Sequence, residues 1–463
     1  MKSFNDVIAA ISTPPGKGGV ALIRISGKGA LDITKKIFKP KFSGVSLDTI
    51  KARYQVYGYI YDGCEVLDDV LLVSFPEGAS YTGEETVEIS CHGGMLLTRT
   101  VLQVVLRAGA RPAEAGEFTR RAFINGRLSL SDAEAVGNLL EAKTREQIRL
   151  SGNSSRARLN ERIAEVRGEL VSLMSSMFAR IDYPEEDLGE FSDAEALNIL
   201  NKVKCELKRL IESYKMGRAI SEGVSAVICG KPNVGKSTLY NLLLGEDSAI
   251  VTDIEGTTRD ILTSSISLGK VMLNISDTAG IREGGEIDAV ERIGIEKSRK
   301  ALEKSELIFT IFDASAELNE DDEKIIDLVR EASGVKLALI NKCDKGAVLN
   351  ENSLPEIFDE VLMISANDDK SREKIKDAVD RLFTDEKIVV GEDAIVFTAR
   401  QSAELERCLI SVELSIEALA SGFGQDAVAS DVERAISAIS ELDGREVSET
   451  VVSDIFKKFC VGK

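Results

Sequence analysis

Between Gly230 and Ser237 the chain reads GKPNVGKS, a glycine-rich turn ending in a lysine and a hydroxyl, which is the spacing a phosphate-cradling loop requires. An apolar strand pattern precedes it and an apolar helix pattern follows, so the backbone N–H groups of Asn233, Val234, Gly235, Lys236, Ser237 and Thr238 gather at a helix N-terminus. There Lys236 neutralises the β and γ oxygens of a nucleotide, and Ser237 gives a hydroxyl to Mg²⁺. Downstream, Thr257-Thr258-Arg259 stands where a switch threonine closes over Mg²⁺. Asp277-Thr278-Ala279-Gly280 follows the strand pattern VMLNIS, as expected of the element whose Asp orders Mg²⁺ through water and whose Gly senses the γ-phosphate. Asn341-Lys342-Cys343-Asp344 ends the run VKLALI, and the Asp344 carboxylate can accept from the guanine N1–H and N2–H₂, a donor pair that adenine does not present. Ser365-Ala366-Asn367 offers a backbone N–H to guanine O6. In this order the patterns read as a GTPase and disfavour ATP.

The hydrolytic apparatus departs from the Ras type. Residue 281, directly after the DTAG element, is Ile, where Ras-like enzymes carry the glutamine that orients the attacking water. An alkyl group cannot orient water, and the transition-state charge still needs a cation. The side-chain oxygen of Asn233 is a candidate ligand for a monovalent cation beside the phosphates; the alternative is that Asn233 only shapes the turn.

The elements that must position these residues fall into three textures. Up to residue 118, period-two runs such as VALIRIS and TVEISC alternate with turns and with a helix pattern over Leu96 to Ala108, an α+β texture. Residues 119–217 are poor in glycine and spaced as helices, and that texture returns over 385–463. Between them, residues 218–384 alternate buried strands and helices as in a doubly wound parallel sheet. The expected architecture is therefore multidomain: an α+β N-terminal domain (1–118), a discontinuous α-helical domain (119–217 and 385–463) and an inserted α/β P-loop G domain (218–384).

Composition narrows the partners. With 58 Lys+Arg against 77 Asp+Glu the net charge is -19, so broad electrostatic RNA binding is excluded and any RNA contact needs a local basic patch. A hydrophobic fraction of 43% excludes a disordered chain. The absence of a signal-peptide core or membrane-length run, and seven cysteines without a CxxC pair, lead to the expectation of a cytoplasmic protein with reduced thiols and no membrane association. A single histidine, His92, removes every two-histidine metal site.

The stretches IAAISTPPGKGGVALIRISG, TGEETVEISCHGG, GEFTRRAFINGRLSLSDAEAV, GTTRD, DTAGIRE, VERIGIE and the terminal FCVGK together resemble the tRNA-modification GTPase MnmE (TrmE) family along essentially the whole chain. The resemblance implies a homodimer with an N-terminal folate-binding domain, a split helical domain and an inserted G domain. It implies a heterotetramer with an FAD-dependent MnmG-like protein that places an aminomethyl or carboxymethylaminomethyl group at C5 of the tRNA wobble uridine, with a one-carbon unit from a tetrahydrofolate derivative in the 5,10-methylene or 5-formyl form. K⁺-dependent pairing of G domains activates GTP hydrolysis in that family. Carried over by position, Asn233 corresponds to the K⁺ ligand of the phosphate loop, and Thr252, Ile254 and Thr257 to K⁺ ligands in the loop that closes over the ion, formed by Thr252, Asp253, Ile254, Glu255, Gly256, Thr257 and Thr258, whose Thr258 completes the Mg²⁺ shell. Glu291 corresponds to the residue that positions the attacking water, although the stretch between Gly280 and Glu291 is slightly longer than the family pattern. Arg24, Glu88, Arg127 and Lys463 correspond to the folate site, and Cys460 to a catalytic thiol.

Each assignment has a plainer alternative. Glu291 can be a solvated helix acid, Arg24 and Glu88 a structural ion pair, and Phe459-Cys460-Val461 an apolar plug docking the tail. His92 reads as structural, Arg120, Arg121 and Arg127 as tRNA contacts or solvated residues, and Lys297 to Lys300 as an exposed helix face. A regulatory or ribosome-assembly GTPase, with the N-terminal domain serving only dimerisation, is the rival reading.

Overall fold

A computed structural model of the chain describes residues 6–48, 51–182, 192–245, 263–276 and 301–444, with Val452, Ile455, Phe456, Phe459, Val461 and Gly462 of the C-terminal tail. The chain divides into two compact units, residues 1–141 with 433–463, and residues 142–432.

The first unit is built on a seven-stranded sheet of order β3-β4-β5-β6-β2-β1-β7. Its strands are β1 (Ile8–Ile11), β2 (Val20–Ser26), β3 (Phe38–Pro40), β4 (Gln55–Asp62), β5 (Glu65–Phe75), β6 (Thr86–His92) and β7 (Arg111–Pro112); its helices are α1 (Ala30–Lys35), α2 (Met95–Ala108), α3 (Glu117–Ile124) and α4 (Leu130–Glu141). All neighbours pair antiparallel except β1 with β7. The alternation in VALIRIS turns Ala21, Ile23 and Ile25 to one face, where they pack with Val87, Ile89 and Leu72 against Val101, Val104 and Val105 of α2. Leu22 and Arg24 are thereby left on the opposite face. In the tail, Phe456 and Phe459 bury among Phe123, Leu130 and Ala133, and Val461 bridges to Ala115.

The same unit holds a buried charge network that revises one expectation. Arg121 is neither solvated nor presented to RNA: it is fully buried, with Nη2 at 2.9 Å from Glu117 and 2.8 Å from Asp6, and Nη1 at 3.2 Å from Glu84. Arg111 closes the network on Asp6 and Glu117, each at 2.5 Å. A charge with three carboxylate partners is tolerated in the interior because its donors are spent.

In the second unit, α5 (Arg145–Ser151), α6 (Asn153–Asp182), α7 (Asp193–Ser221) and α11 (Ala399–Ala420) accompany a six-stranded sheet of order β13-β12-β11-β8-β10-β9. Its strands are β8 (Val224–Cys229), β9 (Thr263–Leu268), β10 (Val271–Ser276), β11 (Leu307–Asp313), β12 (Val335–Asn341) and β13 (Glu360–Met363), parallel except β9; its helices are α8 (Lys236–Leu244), α9 (Glu320–Glu331) and α10 (Lys370–Phe383). A last long helix, α12 (Gln425–Asp443), begins in this unit. Strand β11 is buried along nearly its whole length, as a central parallel strand covered on both faces must be. Helices α7 and α11 start at capping boxes, Ser192 with Glu195 and Thr398 with Gln401. They pack side by side, so the chain leaves the helical layer at the end of α7, builds the sheet, and returns beside its exit.

Candidate functional site

The apolar strand β8 is buried in the sheet and fixes where the phosphate loop begins; α8 fixes where it ends. Gly235 is the N-cap of α8 at φ 105°, and a Cβ there would lie 2.4 Å from the Asn341 side-chain nitrogen, so only glycine lets the guanine loop press against the phosphate loop. Asn341 uses that closeness: its Nδ2 donates to the Val234 carbonyl at 2.8 Å and its Oδ1 accepts the Ala366 N–H at 2.8 Å. Lys342, left-handed at φ 69°, donates from Nζ to the Asn233 carbonyl at 2.7 Å and pairs with Asp313 at 2.6 Å. The structure therefore brings together three chain segments that the sequence separates, with Asn341 and Lys342 as the joint.

The remaining loop residues divide by role. Asn233 takes a left-handed φ of 66° and is exposed, with its carbonyl given to Lys342. Lys236 donates to the Gly230 carbonyl at 2.7 Å and the Lys231 carbonyl at 2.9 Å, and burial lowers its pKa. Phosphate oxygens are stronger acceptors than those carbonyls and would favour the charged ammonium, which is what a phosphate-binding lysine needs. Ser237 and Thr238 are exposed at the first turn of α8. The exposed Asp344 accepts a 2.7 Å hydrogen bond from the Ser365 hydroxyl. Beneath the loop, burial pushes the Cys229 thiol up to about 11, which leaves it protonated and inert.

Two residues of this region were invisible to motif reading. Asp313, at the end of β11, anchors Lys342; burial works against its charge, but hydrogen bonds from Lys342 and Ser315 outweigh burial and hold its pKa at about 2. Asp322, in the first turn of α9, pairs with Lys231 at 2.6 Å. The acid after the SELIFTIF run is the only sequence signal for the first, and the Asn319 capping box hides the second.

In the first unit the register places Arg24 directly opposite Glu88. The pair is formed, with Nη2 at 2.8 Å and Nε at 2.9 Å from Glu88 Oε1, so the ion-pair alternative is realised in this structure. The guanidinium also sits 5.3 Å from the Tyr81 ring centroid and 5.6 Å from that of Phe118, a cation beside two aromatic rings that the sequence did not announce. Arg127 lies against the turn that carries Tyr81, where a Cβ on Gly83 would be 3.0 Å from its Cγ. Gly462 of the tail accepts a hydrogen bond from the Ser12 hydroxyl at 3.0 Å. His92 is held by Asp68, with Nδ1 at 2.7 Å from Oδ1 and its backbone N–H donating to Oδ2 at 2.9 Å, in keeping with a structural residue. Thr252, Asp253, Ile254, Glu255, Gly256, Thr257, Thr258, Asp277, Thr278, Ala279, Gly280, Glu291, Cys460 and Lys463 lie outside the described residues.

A parallel sheet with a phosphate loop after β8 and a guanine-type Asn-Lys-Cys-Asp motif after β12, joined through Asn341, defines the P-loop GTPase class. Residues 7–127 match the family described as GTP-binding protein TrmE N-terminus, and residues 130–460 match the MnmE helical domain. Similar proteins include the tRNA modification GTPases MnmE of Carboxydothermus hydrogenoformans, 38% identical over 99% of this chain and 100% of that one, and of Thermotoga maritima, 37% identical over the same shares. Among solved structures, Aquifex aeolicus Era bound to GDP and aluminium fluoride shares 27% identity over 41% of this chain and 67% of that one, with a TM-score of 0.27. The chain belongs to the MnmE (TrmE) family of tRNA modification GTPases.

Proposed function

We propose that this chain is the GTPase subunit of a tRNA wobble-uridine modifying enzyme, hydrolysing GTP with Mg²⁺ in a K⁺-dependent manner. As a cytoplasmic homodimer joined to an FAD-dependent MnmG-like partner in a heterotetramer, it installs an aminomethyl or carboxymethylaminomethyl group at C5 of the uridine, from a tetrahydrofolate one-carbon unit. The observation that carries the reading is the joint of Asn341 and Lys342 with the phosphate loop, in a chain 38% identical along its length to tRNA modification GTPases. The domain division 1–118, 119–217, 218–384 and 385–463 belongs to the same proposal.

In this reading the phosphate loop and Lys236 hold the phosphates, and Asp344 reads the guanine edge. Ser237 and Thr258 are the protein's ligands to Mg²⁺. Asn233, with Thr252, Ile254 and Thr257, holds K⁺, whose charge would offset that developing on the phosphates in the absence of a Ras-type glutamine. The exposed Asn233 side chain at the rim of the loop fits that task. Glu291 positions the attacking water. On the folate side, Glu88 accepts from the N–H donors of the pterin, Arg24 and Arg127 bind its oxygens, Lys463 reaches in from the tail, and Cys460 acts as a catalytic thiol.

Replacing Na⁺ by K⁺ should raise GTP turnover strongly, and Asn233→Ala should abolish the difference; equal wild-type rates in both salts would sink the cation assignment. Mass spectrometry of tRNA wobble nucleosides from cells lacking the protein tests the larger reading. Normal modification there would favour a regulatory or assembly GTPase.

A further inference from the structure

Four of the chain's eight tyrosines, Tyr54, Tyr57, Tyr59 and Tyr61, fall within residues 54–61. From residue 35 to residue 61 the sequence carries six basic residues (Lys35, Lys36, Lys39, Lys41, Lys51, Arg53) and one acid (Asp48), within a chain of net charge -19. In this region Phe38–Pro40 and Gln55–Asp62 form β3 and β4 at one edge of the N-terminal sheet, with Lys39 in β3 and Lys41 directly after it.

Tyr57, Tyr59 and Tyr61 stand at every second position of β4 and so share a face, each half-buried. The Lys41 ammonium lies 4.6 Å from the Tyr57 centroid and that of Lys39 lies 4.8 Å from Tyr61, while the Tyr57 and Tyr59 centroids are 6.1 Å apart. Tyr57 is further steadied by donating its hydroxyl to Asp69 at 2.9 Å. Two neighbouring acids are already neutralised, Asp48 by Lys35 at 2.5 Å and Asp62 by Arg107 at 2.6 Å. Lys39 and Lys41 are exposed and meet no carboxylate partner among the described residues.

We propose that this face of β3 and β4 binds a single-stranded stretch of RNA, with bases stacking on Tyr57 and Tyr59 and phosphates meeting Lys39 and Lys41. Splayed bases need flat ring faces beside cations, whereas a duplex hides its base faces. Lys39 and Lys41 supply the local positive charge that a polyanion requires, beside the Asp69 carboxylate that takes the Tyr57 hydroxyl. The register adds a second reason. Gln55, Val73, Glu88 and Arg24 follow one another across the sheet, so the tyrosines and the Arg24–Glu88 pair share a face. Three strand spacings of about 4.8 Å separate β4 from β2, roughly 14 Å in all. A loop stacked on Tyr57 can therefore present a neighbouring base toward Arg24. The proposal rests on the tRNA-modification reading and names where the RNA is held.

The test titrates the full-length protein with a fluorescent anticodon stem–loop RNA bearing a wobble uridine, and with a fully paired hairpin of equal length. The stem–loop should bind more tightly. Tyr57→Ala with Tyr59→Ala should weaken it by at least roughly tenfold, while the Tyr→Phe changes at both positions keep the affinity and exclude misfolding as the cause. Lys39→Gln with Lys41→Gln should flatten the slope of log affinity against log salt by about 1.4. No binding by the wild type, equal binding of the paired hairpin, or unchanged affinity in the alanine variant would overturn the proposal. So would dissociation of the dimer by that variant in sedimentation, which would mark the face as a contact between copies. The reading beneath it fails separately, if cells lacking the protein keep normal wobble uridines.

Discussion

One imidazole in the whole chain makes His92 its own pH reporter. The Asp68 carboxylate beside it raises its pKa above the ordinary 6.5, chiefly through their hydrogen bond. Because the folded value is raised, whatever stability the pair contributes is fully present below the unfolded pKa and is lost as pH rises through the folded one. An NMR titration should show a single imidazole with a midpoint above 6.5 that returns toward it in Asp68→Asn; no change in the variant would remove Asp68 as the cause. Asp313 argues in the opposite direction. Its pKa of about 2 lies below the ordinary 3.8, so its contribution is present above pH 3.8 and is lost as pH falls toward 2. At neutral pH its task is to hold Lys342, and through it the Asn233 carbonyl. Asp313→Ala should weaken guanine nucleotide binding roughly tenfold, about 1.4 kcal/mol, which calorimetric titration with GDP would measure. Unchanged affinity would mean that Lys342 keeps its place without this anchor.

At the scale of elements, what was legible and what was not separates by sequence distance. VALIRIS became β2 at the boundaries its alternation implies, and the apolar run before GKPNVGKS became β8, because period and punctuation are local signals. The surroundings of Arg121 were not legible: its partners Asp6 and Glu84 lie 115 and 37 residues away, and a basic residue in a helix gives no local sign of being buried. Nor could spacing reveal that Tyr81 and Phe118 both meet Arg24, since each belongs to a different part of the fold. The tail shows the same limit. Phe459 is buried as an apolar plug would be, yet Val461 stays 59% exposed and contributes through its backbone bridge to Ala115. Phe456 carries more of the docking, with its ring 6.3 Å from that of Phe123 and 5.7 Å from that of Phe459. Phe456→Ala should destabilise the first unit by about 3–5 kcal/mol in denaturant unfolding, whereas Val461→Ala should be nearly neutral. Equal costs would place the docking energy in the strand bridge instead.

For the molecule as a whole, the decisive feature is that the parallel sheet is entered and left at one place. The end of α7 and the start of α11 are stitched by the Val396 N–H donating to the Ser213 hydroxyl at 3.0 Å and the Ser221 hydroxyl donating to the Phe397 carbonyl at 3.1 Å. Gly217 permits this approach, since a Cβ there would stand 2.0 Å from the Val396 carbonyl oxygen. The α/β segment is thus an insertion whose two ends are neighbours, which is why the helical texture breaks off before it in the sequence and returns after it. Adjacent ends also mean that excision leaves both termini of the segment at one place, as in segments that fold after being cut out. A chain spanning residues 222–397 should fold on its own, bind GDP, and keep its guanine preference, because the Asn341 and Lys342 joint lies wholly within it. Gly217→Val in the full chain should instead strain the joint, costing about 1–3 kcal/mol as overpacking does, while nucleotide affinity stays as it was. If the excised segment fails to fold, or if Gly217→Val weakens GDP binding as much as it weakens stability, the sheet depends on the helical layer for more than its anchorage.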